Sequence, residues 1–534
     1  QKNRCNGWRI SNLLFFITKS NQHSKGGSMQ GTLSAQRHPG RFVLLPLAVA
    51  LLLSGCMVKP HPVSLKERQA TAAADKQTLF GSQEKITAPV TLENAMARAL
   101  KYNMDYRVKL MEEAMGQRQL DVANLDMLPK LAASAGYTAR DKDNASSSQN
   151  VATGEQSLAP SISTEKQDRM ADLSLSWNVL DFGVSYYTAQ QQADRVLILE
   201  QRKRRVGQQL VQQVREAWWQ AAGAQQLQGR IDTLLAQALS ALDDARQVES
   251  LKLRSPLEAL NYQRQLLDVI RQLTAVRSAL AQAKPRLAAL MNISPGVDFS
   301  VAVSDDMPVP KLGIPVEKME DIALLNRPEM VEANYSQRIS ALETRKAIAK
   351  LLPGIELSVG ESYDSNKFLT NNAWGYAGLR VSWNLLNLFN AGPITKAAEA
   401  EKQVNDAQRL ALSMAVLTQV NIAWLDYEGK TKQFELERQL NTVDQSIYEQ
   451  TRHAVESGAS ARLQGILADA NAVYSSLRLY QSYGALQNAY GQMGASLGLD
   501  PLPEDTRGYD VASLDQAFKG VAARVNKQMA GDKQ

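Results

Sequence analysis

The chain has 534 residues, few aromatic side chains (6%) and plentiful Ala, Gln, Leu and Arg, a composition that favours long packed helices over a thick globular core. Its formal net charge is +6, but residues 1–55 contain seven basic and no acidic residues, which leaves 53 basic against 54 acidic residues in the rest of the chain. A near-neutral body gives no indication of nucleic-acid binding, so we exclude that class of function.

Residues 1–55 are interpreted as a leader with a signal peptide. Arg37 and Arg41 precede an apolar run of 12 residues, 42–53, whereas a helix that crosses a bilayer needs about 20. Residues 1–28 lie before Met29 and are interpreted as upstream sequence outside the native protein.

The apolar run ends at Leu53-Ser54-Gly55-Cys56. A pair of small residues before Cys resembles a bacterial lipobox, in which Cys56 becomes the lipidated first residue; a buried core cysteine is the alternative. The next residue is Met57 rather than the Asp that marks inner-membrane retention, so the resemblance implies the outer membrane of a Gram-negative bacterium. Residues 56–88 show no apolar period and are predicted to be a flexible, lipidated tether.

The first structured segment begins with a helix. Thr91 caps this helix, which runs until Pro129 stops it. A strand of small residues is predicted at 131–137 and a polar loop at 139–168. Residues 173–179 alternate apolar and polar side chains, which predicts a half-exposed strand.

A helix of about 65 residues, roughly 97 Å at 1.5 Å per residue, is predicted from Val184 to Val248. Apolar residues recur three and four positions apart there, and no proline interrupts them. The segment is too rich in Gln and Arg for lipid, so its apolar stripe needs antiparallel helical neighbours. Residues 250–256 form the turn at its tip, and 257–291 form a return helix.

The chain repeats this order. Short motifs recur at a spacing of 224 residues in the first part of each copy and 206 residues in the second part. These motifs are Ala99-Leu100, Leu128-Pro129, Ser176-Trp177-Asn178, Ala217-Trp218 and Pro295. The duplication predicts a helix–strand–strand–long helix–helix unit at 89–293 and again at 315–502, with a linker at 294–314 and a polar, partly disordered tail at 503–534.

The second copy has its own predicted elements. They are a helix at 317–351, strands at 355–363 and 375–386, a turn at 390–393, a long helix from Ile394 to about Val455, a tip at 456–461 and a return helix to about Leu499.

Each copy supplies two amphipathic strands, so one chain supplies four, too few for a closed barrel. An open sheet edge in hydrocarbon leaves backbone groups unpaired at a cost of several kcal/mol each. Closure is therefore shared among copies of the chain: two give eight strands filled with side chains, and three give twelve with a lumen. The aromatic residues predicted to lie at the membrane interfaces are Tyr137, Trp177, Tyr363, Trp374, Tyr376 and Trp383. A soluble β-layer packed on the helices is the alternative.

In this order and in duplicate, the motifs resemble the TolC family of outer-membrane channel-tunnels over residues 88–502. They are Thr91-Leu-Glu-Asn-Ala95 with Ala99-Leu100 and Asn103, Leu128-Pro129, Leu175-Ser-Trp-Asn178 with Asp181-Phe-Gly183, and Asn326-Arg-Pro-Glu329. The resemblance implies a mainly α homotrimer with a transmembrane twelve-stranded β-barrel continued by an α-helical barrel. It implies docking on a periplasmic adaptor protein and an inner-membrane pump, without chemistry and without a cofactor.

Two features depart from the family pattern. The lipoprotein drug-efflux branch usually has Arg-Arg-Pro-Asp-Ile where this chain has Asn326-Arg-Pro-Glu-Met330. The rings of Asp that often close the periplasmic end in the family align with Gly465 and Ala468, and Asp469 is adjacent to them rather than matched.

Two groups of residues are predicted to carry function. The adaptor-contact residues at the hairpin tips are Glu249, Ser250, Leu251 and Lys252, and Glu456, Ser457, Gly458 and Ala459. The entrance or gate residues are Arg452, Arg462 and Asp469. The alternatives are ordinary solvated turns and solvated helix faces. His61 and His453 have no second His or Cys near them, so zinc is not expected, and no phosphate loop, nucleophile elbow or dinucleotide fingerprint occurs.

Three hypotheses of function follow. The first is a passive outer-membrane exit duct for small molecules, driven by an inner-membrane pump through a periplasmic adaptor. The second is the outer-membrane component of type I protein secretion. The third is a periplasmic coiled-coil scaffold lipoprotein without a pore. An enzyme is a distant further alternative because no catalytic constellation occurs.

Overall fold

The structure is a computed structural model that describes residues 60–157, 159–252, 255–303, 306–459, 461–504 and 509–531. The chain divides into two compact units, Gln1–Ala74 and Asp75–Gln534. The leader and the predicted lipidation site Cys56 lie outside the described residues.

The described part of the first unit contains the start of helix α1 (Leu65–Phe80). The prediction of a flexible tether at 56–88 is therefore wrong for this segment. Ser64 and Glu67 form a capping box, since the Glu67 N–H donates to Ser64 Oγ at 3.2 Å and the Ser64 N–H donates to Glu67 Oε2 at 2.9 Å. No side chain of α1 is buried, so this cap, rather than an apolar period, is the sequence signal for the helix.

The second unit contains the predicted element order twice, which confirms the fold class. The first copy comprises α2 (Leu92–Tyr102), α3 (Met104–Leu125), β1 (Lys130–Ala139), β2 (Ala145–Ser146), β3 (Ser161–Ile162), β4 (Gln167–Asn178), α4 (Val179–Ser250), α5 (Pro256–Ala281) and α6 (Ala283–Leu290). The second copy comprises α7 (Val316–Asn326), α8 (Pro328–Ala349), β5 (Gly354–Asp364), β6 (Ala373–Ser382), α9 (Asn387–Glu456) and α10 (Arg462–Ser496). Helix α11 (Val511–Met529) follows.

The helix before each strand pair is broken in both copies, at Asn103 and at Arg327, which the spacing of 224 residues relates. Both residues have extended backbone (ψ 129° and 133°). The Asn103 side chain accepts a hydrogen bond from the Tyr106 N–H at 3.1 Å, and Pro328 starts the helix after Arg327. The prediction of one continuous helix in each copy was wrong because an internal Asn and an Arg-Pro pair each start a new helix.

At two further prolines, the observed helix boundaries differ from the predicted ones. The return helix of the first copy breaks at Gln282, because the ring of Pro285 would clash with the carbonyl four residues earlier in a continuous helix. Conversely, Pro393 lies inside α9, which starts at Asn387 rather than at Ile394. Pro393 lies in the second turn, so the carbonyl that loses its usual donor, that of Phe389, belongs to the first turn of α9.

The predicted disorder of the tail is wrong for α11. Asp510 caps this helix by accepting a hydrogen bond from the Ser513 N–H at 2.8 Å. The apolar residues that α11 buries are Val511, Leu514, Phe518, Val521 and Met529, which lie on one face. The Gly313 N–H donates to the Met529 carbonyl at 2.9 Å, so the end of α11 is held by the linker between the copies.

The four long strands form one antiparallel sheet in the order β1-β4-β5-β6, with β1 and β6 at its edges. Direct pairs such as Leu131–Leu175, Leu175–Val359 and Leu357–Leu379 make one face apolar. On the opposite face, Ser362 Oγ and the Tyr376 hydroxyl donate to Asp172 Oδ2 at 2.6 and 3.1 Å. The sheet is therefore two-faced, apolar on one side and polar on the other.

Two clusters of buried apolar residues hold the helices together. The larger one includes Trp218, Phe434 and Tyr483 and reaches α2 and α11. The smaller one joins α4, α5 and α10 towards the hairpin tips through residues such as Ile231, Leu266 and Val473. The apolar stripe of α4 is thus buried in both clusters, whereas the buried apolar residues that α9 contributes lie between Val416 and Phe434.

Candidate functional site

The two hairpin tips have the same backbone bend. Lys252 follows the end of α4 with φ +55°, and Gly458 follows the end of α9 with φ +77°. The spacing of 206 residues relates these two positions. Glu249, Ser250 and Glu456 end the long helices, and Leu251, Lys252, Ser457, Gly458 and Ala459 lie in the turns. All of the turn residues are exposed, so the structure places the predicted contact residues on accessible surface.

An ion pair connects the two hairpins behind the tips. Arg230 of α4 donates to Asp469 Oδ1 of α10 from Nη2 at 2.8 Å and from Nε at 3.0 Å. Its Nη1 donates to Gln445 Oε1 of α9 at 3.2 Å, and its guanidinium lies 4.8 Å from the ring centroid of Tyr448. The Asp469 side chain is only 13% exposed, and one arginine therefore joins three long helices. The Asp469 carboxylate is therefore paired with Arg230 of the same chain and is not a free charge at the entrance.

A second ion pair lies nearer the tips. Arg462 at the start of α10 donates to Asp244 Oδ2 of α4 at 2.7 Å and to Ser240 Oγ at 3.3 Å. We call these two contacts, Arg230–Asp469 and Arg462–Asp244, the tip latch. Both members fasten the second hairpin to the first.

Arg452, the third predicted entrance residue, does not belong to the tip latch. Its ion-pair partners are Glu449 at 2.7 Å and Glu456 at 3.7 Å, both on its own helix α9. The hydrogen bond that Arg452 donates to the Glu449 carboxylate raises the pKa of Arg452 above its ordinary value. The structure thus brings Arg462 and Asp469 together with α4 and leaves Arg452 apart.

The sequence reasoning missed the α4 half of the latch, namely Arg230, Asp244 and Ser240. These residues lie 239, 218 and 222 positions before their partners, and no local pattern distinguishes them from other polar residues of a Gln- and Arg-rich helix. It also missed Tyr474 on α10, whose buried hydroxyl has no hydrogen-bond partner among the described residues. Burial raises the pKa of Tyr474.

A groove of about 580 Å³ lies beside the first tip, between the end of α4, the start of α5 and the start of α10. Its polar lining includes Asp244, Glu258, Tyr262 and Arg462. Close to it, α5 exposes Leu257 and Leu260, and the turn exposes Leu251. The first tip therefore offers an apolar surface next to acidic groups.

The predicted interface aromatics lie on different faces of the sheet. Tyr137, Trp177 and Tyr363 lie on its apolar face. Trp374 pairs with Ser362, and Tyr376 pairs with Gly360, which places both on the polar face, so their assignment to an apolar belt was wrong. Trp383 follows β6 and donates its indole N–H to the Leu351 carbonyl at 2.9 Å.

Within the described part of the chain, no group of three or more His, Cys, Asp or Glu side chains is arranged to hold a metal ion. Among the helices of the described residues, none combines the length and the apolar character that a membrane crossing requires.

Known structures share this fold. The chain is similar to VceC, an outer membrane protein of Vibrio cholerae (14% identity, 76% of this chain and 96% of that chain, TM-score 0.56). It is similar to the open state of the MtrE outer membrane channel of Neisseria gonorrhoeae (14%, 78% and 93%, 0.57). It is also similar to the CmeC outer membrane channel of Campylobacter jejuni (13%, 87% and 97%, 0.58). No protein-family model and no curated protein sequence matches the chain.

The fold is therefore that of outer-membrane channels, and it spans nearly the full length of the structures compared. The resemblance to the TolC family, which the duplicated motifs predicted, is confirmed at the level of the fold.

Proposed function

We propose that this chain is the outer-membrane channel of a tripartite export system and a passive exit duct for small molecules. The observation that carries the proposal is the two-faced sheet, apolar on one side and polar on the other, which leads directly into two long helical hairpins. A sheet with one apolar face fits lipid outside and water inside. The long hairpins fit a duct that continues the aqueous path.

The proposed assembly is a homotrimer. The sheet has β1 and β6 as its edge strands, and pairing β6 of one copy with β1 of the next satisfies both edges. Three copies then supply twelve strands around a lumen. The exposed apolar residues along α9, such as Leu410, Met414 and Leu436, give the helices a surface for the same neighbours.

The proposed partners are a periplasmic adaptor protein at the tips, an inner-membrane pump behind it, and outer-membrane lipid. The groove beside the first tip and the exposed leucines near it support the adaptor contact, because an apolar recess with a polar rim suits a protein partner. Lipidation at Cys56 adds an anchor in the outer membrane. The proposed division of the chain is a leader to residue 55, a tether at 56–88, the copies at 89–293 and 315–502 around the linker at 294–314, and a tail from 503.

The entrance is proposed to open when the hairpins move apart at the tips, and the pump supplies the energy. The tip latch opposes this motion since both of its ion pairs connect the two hairpins. The chain itself then performs no chemistry.

Single-channel recording in planar bilayers tests the duct. Purified trimers are expected to conduct, and an Asp244→Cys/Arg462→Cys variant joined by a disulfide-containing bismaleimide is expected to conduct less until a reductant cleaves the disulfide of the linker. Intact trimers that stay electrically silent would contradict the proposal.

A fractionation experiment separates the duct from a scaffold lipoprotein without a pore. A Cys56→Ser variant is expected to remain in the outer membrane, because its sheet holds it there. Release of this variant as a fully soluble protein would favour the scaffold.

The adaptor contact needs a separate test. A Leu251→Asp variant is expected to lose export in cells while its conductance in bilayers stays unchanged, because the turn residue lies outside the duct. Equal export by this variant and the wild-type chain would exclude a role for the first tip.

A further inference from the structure

A second cavity, of about 280 Å³, lies far along the chain from the tips, between α2, α4, α10 and α11. Its apolar walls include Met96, Val211, Pro308, Phe518 and Val521. The tip latch, the tip groove and the sheet contribute no residue to it. The proposed duct function leaves it unexplained.

Two buried polar atoms lining this cavity have no hydrogen-bond partner among the described residues. They are the Nε of Arg215 and the Oε1 of Gln212, both on α4. Buried polar groups are paired in most native structures, and an unpaired one is destabilising. The unpaired Arg215 Nε–H is a donor on a cation and points to a missing acceptor at this cavity, whereas the unpaired Gln212 Oε1 is itself an acceptor.

Burial lowers the pKa of Arg215, and Glu93, which lines the same cavity, acts against that effect. The guanidinium nevertheless stays charged, because an arginine side chain is protonated throughout the physiological pH range. A buried charge without a direct partner is unfavourable. An anion that contacts the guanidinium removes this penalty.

From these observations we infer that the cavity is a binding site for a small monocarboxylate with an apolar tail. The carboxylate accepts hydrogen bonds from Arg215, and the tail packs against Phe518, Val521 and Pro308. A carboxylate matches the fork of a guanidinium better than a neutral group does. The apolar walls select against inorganic anions, which would be stripped of water there without compensation.

Gly491 lies directly against the side-chain amide of Gln212. A Cβ atom at this position would lie 2.4 Å from Gln212 Oε1, so only glycine leaves room for the amide where it lies. Tyr490, also in the lining, donates its hydroxyl to Asn526 Oδ1 at 3.1 Å, and burial raises the pKa of Tyr490 to about 12. Tyr490 therefore stays neutral and adds no charge that competes with the anion.

Isothermal titration of the full-length protein with sodium hexanoate tests the site, with 1-hexanol as the uncharged probe. Hexanoate is expected to bind and hexanol to bind at least tenfold more weakly. Arg215→Gln is expected to weaken hexanoate binding about 10- to 100-fold, since a hydrogen bond to a charged group contributes about 1.5–3 kcal/mol. Arg215→Lys, which keeps the charge, is expected to retain part of the affinity.

Glu93→Gln is expected to change the affinity for hexanoate in the opposite direction. It removes the one carboxylate known to act on Arg215 from within the cavity, so hexanoate is expected to bind more tightly. Arg264→Gln, which removes an exposed arginine of α5, is the matched control and is expected to change nothing. Crystals soaked in 6-bromohexanoate are expected to show the bromine near Phe518.

Equal binding of hexanoate by the wild-type chain and Arg215→Gln would overturn the inference, as would a cavity filled only by ordered water. Neither result bears on the duct, whose test is conductance.

Discussion

The ring of Tyr376 lies over Gly360 on the neighbouring strand, so closely that a Cβ atom at Gly360 would be 2.6 Å from the Tyr376 Cζ. The same Cβ would be 2.9 Å from the backbone carbonyl of Leu173. The Tyr376 hydroxyl is held by Asp172, and the ring therefore has little freedom to withdraw. A glycine thus allows three strands to be joined on the polar face.

Gly360→Ala is expected to destabilise the sheet by about 1–3 kcal/mol, the usual cost of overpacking. The measurement is the temperature at which the trimer dissociates in detergent. Gly375→Ala is the control, because its added Cβ would find only the Gly360 carbonyl oxygen at 3.8 Å, an ordinary contact. Equal melting temperatures for the two variants would contradict the close approach.

Asp469→Asn is expected to open the entrance. Without the carboxylate, the Arg230 guanidinium keeps only weaker partners, and the closed form loses about 2 kcal/mol, which is more than tenfold in the open fraction. Single-channel recording measures that fraction. Arg452→Gln is the control, since the ion pairs of Arg452 stay on α9.

The exchanged pair Arg230→Asp/Asp469→Arg is expected to restore part of the closed state. If Asp469→Asn and Arg452→Gln raise the open fraction equally, the ion pair between the hairpins is not what keeps them together.

Substitutions of the tip residues Gly458 and Lys252 are expected to change the stability of the tips in opposite directions. Gly458→Ala is expected to destabilise the second tip by about 1 kcal/mol, because an L-residue is unfavourable at φ +77°. Among the described residues, apart from its own chain neighbours, no atom lies within 4 Å of its Cβ position, so the expected cost is that of the backbone conformation. Lys252→Gly is expected to stabilise the first tip by a similar amount, and hydrogen exchange of the tip amides measures both.

Glu84 gives a pH-dependent prediction. Its carboxylate accepts hydrogen bonds from Lys101 Nζ at 2.7 Å and from the Val511 N–H at 3.2 Å, and the bond from Lys101 chiefly lowers the pKa of Glu84. A lowered pKa means that the stabilisation is present above the pKa of the unfolded chain, about 4.3, and is lost as the pH falls through the folded value.

Glu84→Gln is therefore expected to lower the free energy of unfolding by about 0.5–1 kcal/mol at pH 7, a value reduced for the 40% exposure of the Glu84 side chain. The difference from the wild-type chain is expected to shrink as the pH falls below about 4.3 and to disappear below the lowered pKa of the folded chain. Urea unfolding at several pH values measures it. A constant difference at all pH values would show that packing rather than charge is responsible.

The order of elements followed from the sequence because its signals are local. Apolar spacing, the cap at Thr91 and the duplicated motifs each depend on a few neighbouring residues. The C-terminal ends of α4 and α9 were predicted to within two residues and their starts to within seven. The helix break at Asn103 also has a local signal and could have been predicted, since an Asn followed by a helical pattern is a common helix start.

Contacts between distant segments could not be predicted in this way. The face on which Trp374 lies could not be predicted, because it depends on the register of its strand with a partner, and its partner residue Ser362 belongs to another strand. Arg230 and Asp469 meet only because two hairpins pack side by side. Arg215 gives no sequence signal, because its burial depends on α11 and the linker covering α4.

The backbone equivalence of Lys252 and Gly458 has a consequence for stoichiometry. Around the proposed trimer, the bend at the tips occurs six times, but each side chain occurs three times. Six identical copies of a partner protein, one bound at each tip, would contact the same backbone bend at every position. The side chain that they contact at the bend would alternate between a cationic lysine and a glycine. These six copies would therefore bind in two different ways, three at a lysine tip and three at a glycine tip, although their own sequences are identical.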